Sequence, residues 1–119
     1  MPTLDDAASI ALAFEGATEG ESRGNRSWSV AGKAFAWERP FSKADVRRFG
    51  TEVPSSGPIL AVRVADLELK DAILQTARPG HFTIPHFDGY PAILLQLDVV
   101  RLEDLEEVLE DAWDACLRR

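Results

Sequence analysis

The chain is poor in the residues that most often do chemistry. Its 119 residues include one cysteine, two histidines, one tyrosine and one methionine. With Cys116 alone, no intramolecular disulfide and no thiolate metal cluster can form, which suits a reducing cytosol. Cys116 falls on the apolar stripe of a C-terminal helix, where a free thiol packs as a small hydrophobe. No run approaches ~18 consecutive apolar residues, so no membrane span is expected. The opening MPTLDDAASIALAF has no basic region and carries two aspartates, unlike a signal peptide. The expected location is cytoplasmic. Neither G-x-x-x-x-G-K-[ST] nor G-x-G-x-x-G occurs. Ser55-Ser56-Gly57 lacks a nucleophile-elbow context, and no Ser/His/Asp or Cys/His set is signalled. An enzyme is not expected, and no cofactor is implied.

What remains is an ordinary globular composition, 45% hydrophobic and 28% charged. The length fits one domain that buries a core without metals or disulfides. Net charge is −7, which argues against a generic nucleic-acid binder. The distribution says more. Residues 1–21 carry −5, residues 22–50 carry +5, residues 51–101 carry −2 and residues 102–119 carry −5. One basic block lies between acidic ends.

That block contains the organising stretch, RSWSVAGKAFAWER at 26–39, which reads as a β-hairpin turning at Ala31-Gly32. If Val30 pairs with Lys33, Trp28 opposes Phe35 and Arg26 opposes Trp37. Trp28, Val30, Phe35 and Trp37 then share one apolar face. Upstream, Thr3 caps a helix over about 4–15, with Ala7, Ile10, Ala11 and Phe14 inward. Residues 19–23 read as a strand, and Gly24-Asn25 as a turn. Ser42 with Asp45 resembles a capping box for a short helix closed by Gly50, and 51–58 is a Pro/Ser/Gly loop.

Strand 59–64 alternates Leu60/Val62/Val64 against Ile59/Ala61/Arg63. Asp66 caps a helix to about Ala77, with Leu69, Ala72, Ile73 and Ala77 inward. Residues 81–84 form a short strand, 85–90 a turn, and 92–99 a strand with Ile93, Leu95, Leu97 and Val99 on one face. The helix 102–117 has a broad apolar stripe opposite seven acids. The order predicts a single-domain α+β two-layer sandwich, its mostly antiparallel sheet covered by helices on one face.

The stretches SWSVAGKAFAW and ARPGHFTIPHFDGYPAILLQLDVV, the DAW at 111–113 and the opening helix together resemble the MmcQ/YjbR family of small bacterial proteins. The resemblance spans nearly the whole chain and rests on structural motifs. It implies a CyaY-like α+β sandwich and DNA binding through a double-wing arrangement of strands and hairpins. It supplies no catalytic residue.

The basic block is the candidate nucleic-acid site, because phosphate binding needs several cations on one surface. Lys33 at the hairpin tip would serve as a wing contact. Arg26, Arg39, Lys43, Arg47 and Arg48 would line a groove beside an exposed aromatic. The competing reading is a solvated face whose cations pair with the acidic ends. A small-ligand pocket around His81, His86, Asp88 and Tyr90 is the second candidate. The H-x4-H spacing there fits no metal motif, so no metal site is expected. An acidic domain binding a protein or small ligand, with no nucleic-acid role, is the alternative function. More remote are an iron-binding acidic ridge like frataxin's and an enzyme built on the 81–88 loop; a solvated amphipathic face accounts for the acidic helix.

Overall fold

Thr3 opens the first helix, α1 (Leu4–Leu12), through a reciprocal capping box. Its hydroxyl accepts from the Asp6 amide at 3.1 Å, and the Asp6 carboxylate accepts from the Thr3 amide at 2.9 Å. Two amides that the helix cannot satisfy are thereby paired. The structure, a computed structural model, describes residues 2–22, 24–39, 58–84 and 87–117. The helix anticipated at 42–50 and nearly all of the loop at 51–58 lie outside these residues.

Six strands form one antiparallel sheet: β1 (Thr18–Ser22), β2 (Asn25–Val30), β3 (Lys33–Glu38), β4 (Ile59–Arg63), β5 (His81–Phe82) and β6 (Ala92–Gln96). Their spatial order is β1-β2-β3-β4-β6-β5. Helix α2 (Leu67–Gln75) follows β4, and α3 (Leu102–Leu117) closes the chain. This is the anticipated α+β sandwich. No helix among the described residues is long and apolar enough to cross a membrane.

The hairpin turns where expected, with Val30 paired to Lys33. Ala31 (φ 52°) and Gly32 (φ 79°) both have positive φ, as the favoured two-residue hairpin turn requires. Beyond the turn the anticipated register fails. Ser29 pairs with Ala34 but Trp28 pairs with Ala36, so Phe35 is an extra residue in β3. This β-bulge lets two consecutive side chains point the same way. Phe35 and Ala36 both enter the core under the helices. Trp37 therefore sits on the opposite face, against a second apolar cluster.

The main core joins α1, α3 and part of α2 to one side of the sheet, through Trp28, Val30, Phe35, Leu60, Val62, Ile93 and Leu95. The other side carries a smaller cluster of Ile59, Ala61, Ala92 and Leu94, covered by Ile84 and Phe87 from the segment after β5. Strand β6 ends at Gln96, so Val99 leaves the anticipated face and is 46% exposed, while Val100 is buried. Helix α2 is rotated from its anticipated setting. Leu69, Ala72 and Ala77 are exposed, Ile73 and Leu74 pack on the core, and Lys70 is the buried residue. Lys70 wins that place because its ammonium finds carbonyl acceptors, without which burial would be prohibitive.

Candidate nucleic-acid interface

The register sorts the strand charges by face. Glu19 and Glu21 oppose Trp28 and Arg26, and Glu38 opposes Leu60. Trp28 and Leu60 belong to the core under the helices, so all three carboxylates project to the helix side. Asp5 and Asp6 of α1, Glu68 and Asp71 of α2 and the seven acids of α3 belong to that same layer. The opposite side carries Thr18, Gly20, Ser27 and Ser29, which are small and uncharged, and then Trp37, Arg39 and Arg63. Among the described residues, no strand carboxylate lies on this helix-free face. The segment that packs over part of it contributes one acid, the exposed Asp88.

Aromatic rings and guanidinium groups interleave there. Trp37 meets Tyr90 edge-on at 6.4 Å between ring centroids, and Tyr90 meets Phe87 at 5.5 Å. Arg63 lies over Tyr90 at 5.6 Å, and Arg39 over Phe87 at 5.8 Å. Arg63 also donates to the Tyr90 hydroxyl at 3.1 Å and to the Ala34 carbonyl at 3.2 Å. Phe87 is buried, whereas Tyr90 is 37% exposed and Trp37 half-buried.

Lys70 holds this arrangement from behind. Its ammonium donates to the carbonyl of Phe87 and, at 2.9 Å, to that of Tyr90. It thus closes the turn that presents Tyr90. Burial pushes the Lys70 pKa down, opposed by the charges of Asp88 and Asp71. Sequence reasoning missed this residue. The available signal was a lysine on the same helical stripe as Ile73 and Leu74.

The anticipated basic residues do not all converge. Arg26 is on the helix side, 2.9 Å from Asp5 and 3.0 Å from Glu19. Glu19 receives two nitrogens of Arg26 and the indole N–H of buried Trp28. Its pKa is lowered, foremost by the Arg26 hydrogen bond, and that of Arg26 is raised by Glu19 and then Asp5. Arg26 is a cross-tie between α1, β1 and β2. Lys33 is also on the helix side, beside Ala115 and Cys116. Arg39 alone of the described members faces the other way. Lys43, Arg47 and Arg48 lie outside the described residues.

Nor are His81 and Tyr90, described members of the second candidate pocket, brought together. His81 opposes Leu95 on the helix side, with its Nδ1 3.0 Å from the Pro79 carbonyl oxygen. Tyr90 belongs to the opposite side, and His86 lies outside the described residues. The turn after β5 carries the chain around the sheet edge, which separates the two. His81 instead lines a cleft of about 240 Å³ between α2 and α3, with Ile73, Arg78, Glu107 and Asp111. Arg78 pairs with Glu107 at 3.3 Å and Asp104 at 3.7 Å. Loss of surrounding water raises the Asp111 pKa, reinforced by Glu107, Glu110 and Asp114 and opposed by Arg78. Among the described residues no three of His, Cys, Asp or Glu are placed to hold a metal ion.

These features define a small α+β protein with acids gathered on its helical layer and a ring-and-guanidinium surface on the other side of the sheet. The YjbR family model matches residues 12–115, and the chain belongs to the YjbR family. It is 41% identical over 116 residues to the uncharacterized protein Mb2600 of Mycobacterium bovis and to the uncharacterized protein Rv2570 of Mycobacterium tuberculosis. The match covers 95% of this chain and 87% of each relative. In fold it is similar to the crystal structure of a protein from Pseudomonas syringae, with a TM-score of 0.71 at 11% identity. That alignment covers 96% of this chain and 98% of the other.

Proposed function

We propose that this protein is a nucleic-acid-binding module that uses the helix-free face of its sheet. One observation carries the reading: the strand register puts every described strand carboxylate on the helix side and leaves Trp37, Arg39 and Arg63 on the other, where Tyr90 packs against Trp37 and Arg63. A net charge of −7 repels a polyanion from the helical layer, so productive approach is confined to the opposite face. There the cations neutralise phosphates, and the rings offer flat apolar surface to bases. The hairpin tip is not the contact in this arrangement, since Lys33 faces the helices.

The test is fluorescence anisotropy of labelled DNA at 20 mM and about 150 mM salt, with Arg39→Glu/Arg63→Glu as the control. Binding that weakens steeply with salt and is lost in the folded double variant supports the reading. No binding at 20 mM salt defeats it.

A second reading, contact with a basic protein partner, is favoured by a groove of about 690 Å³ between α1 and α3. Ile10, Val99 and Leu102 line it, the last two 46% and 49% exposed, together with three acids, Asp6, Glu103 and Glu106, and one base, Arg101.

A further inference from the structure

Resting on the nucleic-acid reading, we infer that the ligand is an unpaired strand whose bases pack on Tyr90 and Trp37, and not a duplex. A duplex offers a protein its phosphates and its groove edges, and its base faces are closed by stacking. Phosphate contact alone needs an array of cations to reach useful affinity. The described helix-free face has two, Arg39 and Arg63, both placed against aromatic rings. Among the described residues this face has few cations and more aromatic surface, a combination that gains affinity from stacking, which only exposed bases supply.

The ring geometry agrees. The Trp37 and Tyr90 centroids are 6.4 Å apart with planes inclined by 62°. Successive bases in a stacked strand are parallel and about 3.4 Å apart. The two rings therefore cannot both fit one continuous stack, but they can each take a base from a strand whose neighbours are splayed. Arg63 is fixed by the Tyr90 hydroxyl and the Ala34 carbonyl and lies over the Tyr90 ring at 5.6 Å, so its planar group is held at the ring instead of sweeping solvent. The floor next to them, Thr18, Gly20 and Ser29 around the buried Ser27, is small enough for a sugar–phosphate backbone to approach closely. The same face has no helix, among the described residues, to enter a major groove.

The experiment compares a labelled twelve-nucleotide mixed-sequence DNA strand with the same sequence annealed to its complement, by anisotropy at 50 mM salt. The single strand is expected to bind at least tenfold more tightly. Tyr90→Ser and Trp37→Leu are expected to weaken it by roughly fivefold to a hundredfold each. Arg63→Gln is expected to lower the salt slope by about 0.7, the value for one phosphate on a single strand. Circular dichroism identifies any variant that fails to fold, and Tyr90→Phe, which keeps the ring, is expected to bind within about threefold of the parent. Equal or tighter duplex binding overturns this inference while leaving the nucleic-acid reading intact. Full binding by folded Tyr90→Ser and Trp37→Leu overturns it as well. Absence of binding to either form defeats both.

Discussion

Replacing Lys70 by methionine tests how the Tyr90 turn is held in place. The substitution keeps most of the side-chain length and removes the two hydrogen bonds from the ammonium to the Phe87 and Tyr90 carbonyls. Bonds from a charged donor contribute about 1.5–3 kcal/mol each. Neither oxygen is orphaned by the change, because Phe87 still accepts from the Tyr90 amide at 3.0 Å and Tyr90 from the Ala92 amide at 2.8 Å. The variant also recovers part of the loss, since it no longer buries a charge and it gains apolar contact. The net expectation is destabilisation by about 1–2 kcal/mol. In urea this lowers the unfolding midpoint by about 0.5–1 M. Hydrogen exchange at the Tyr90 and Ala92 amides should accelerate more than exchange in β2 and β3. The pH dependence has a definite sign. Burial lowers the Lys70 pKa in the fold, so the native state holds this proton less tightly than the unfolded chain. Stability from this group therefore rises with pH through the window that ends near its ordinary value of about 10.5. The variant lacks that rise, and the gap between parent and variant should widen as pH climbs toward that ordinary value. A variant as stable as the parent, with unchanged exchange in the turn, would refute the reasoning.

Gly80 has φ +80°, and a Cβ there would lie 2.8 Å from the Val100 nitrogen and 3.0 Å from the Gln96 carbonyl oxygen. Gly80→Ala is expected to cost about 2–4 kcal/mol, read as a lower thermal midpoint. Asp111→Asn should stabilise at pH 7. A carboxyl whose pKa is raised in the fold contributes stability that is lost as pH climbs through the raised value, so the advantage of asparagine should vanish below the ordinary value of 3.8. Arg26→Gln removes a partly exposed bidentate tie and should cost about 1 kcal/mol. Because Arg26 faces the helices, DNA affinity measured by anisotropy should stay within about twofold.

Much of the fold was legible because local signals and the global arrangement agree. Thr3 and Asp66 cap their helices as their side chains suggest, and Ala31-Gly32 turns the hairpin. The stripe of α3 packs through Leu105, Val108, Leu109, Ala112 and Cys116. The bulge at Phe35 was not legible. An alternating pattern is equally compatible with unbroken pairing, and one inserted residue moves Trp37 to the other face. Helix α2 was misread for a related reason. Periodicity ranks leucine above lysine for the interior, and only the carbonyls of Phe87 and Tyr90, seventeen and twenty residues away, reverse that ranking.

The candidate site suffered most. Counting charge along the chain joined Arg26, Lys33 and Arg39 into one block, yet alternation across the sheet divides them between two faces. Arg63, outside that block, instead joins Arg39 and Trp37 through strand pairing. His81 and Tyr90, close in sequence, are parted by the sheet itself. Linear proximity carries little information where the chain reverses around an edge.

If nucleic acid meets the helix-free face, the residues of that face will report it directly. The most direct measurement is an amide chemical-shift map of the ¹⁵N-labelled protein titrated with the unpaired twelve-nucleotide strand. Saturable shifts are expected at Ser27, Ser29, Trp37, Arg39, Arg63 and Tyr90, with the outer surface of α3 unmoved. Shifts confined to the hairpin tip around Lys33 or to the α1–α3 groove would contradict it.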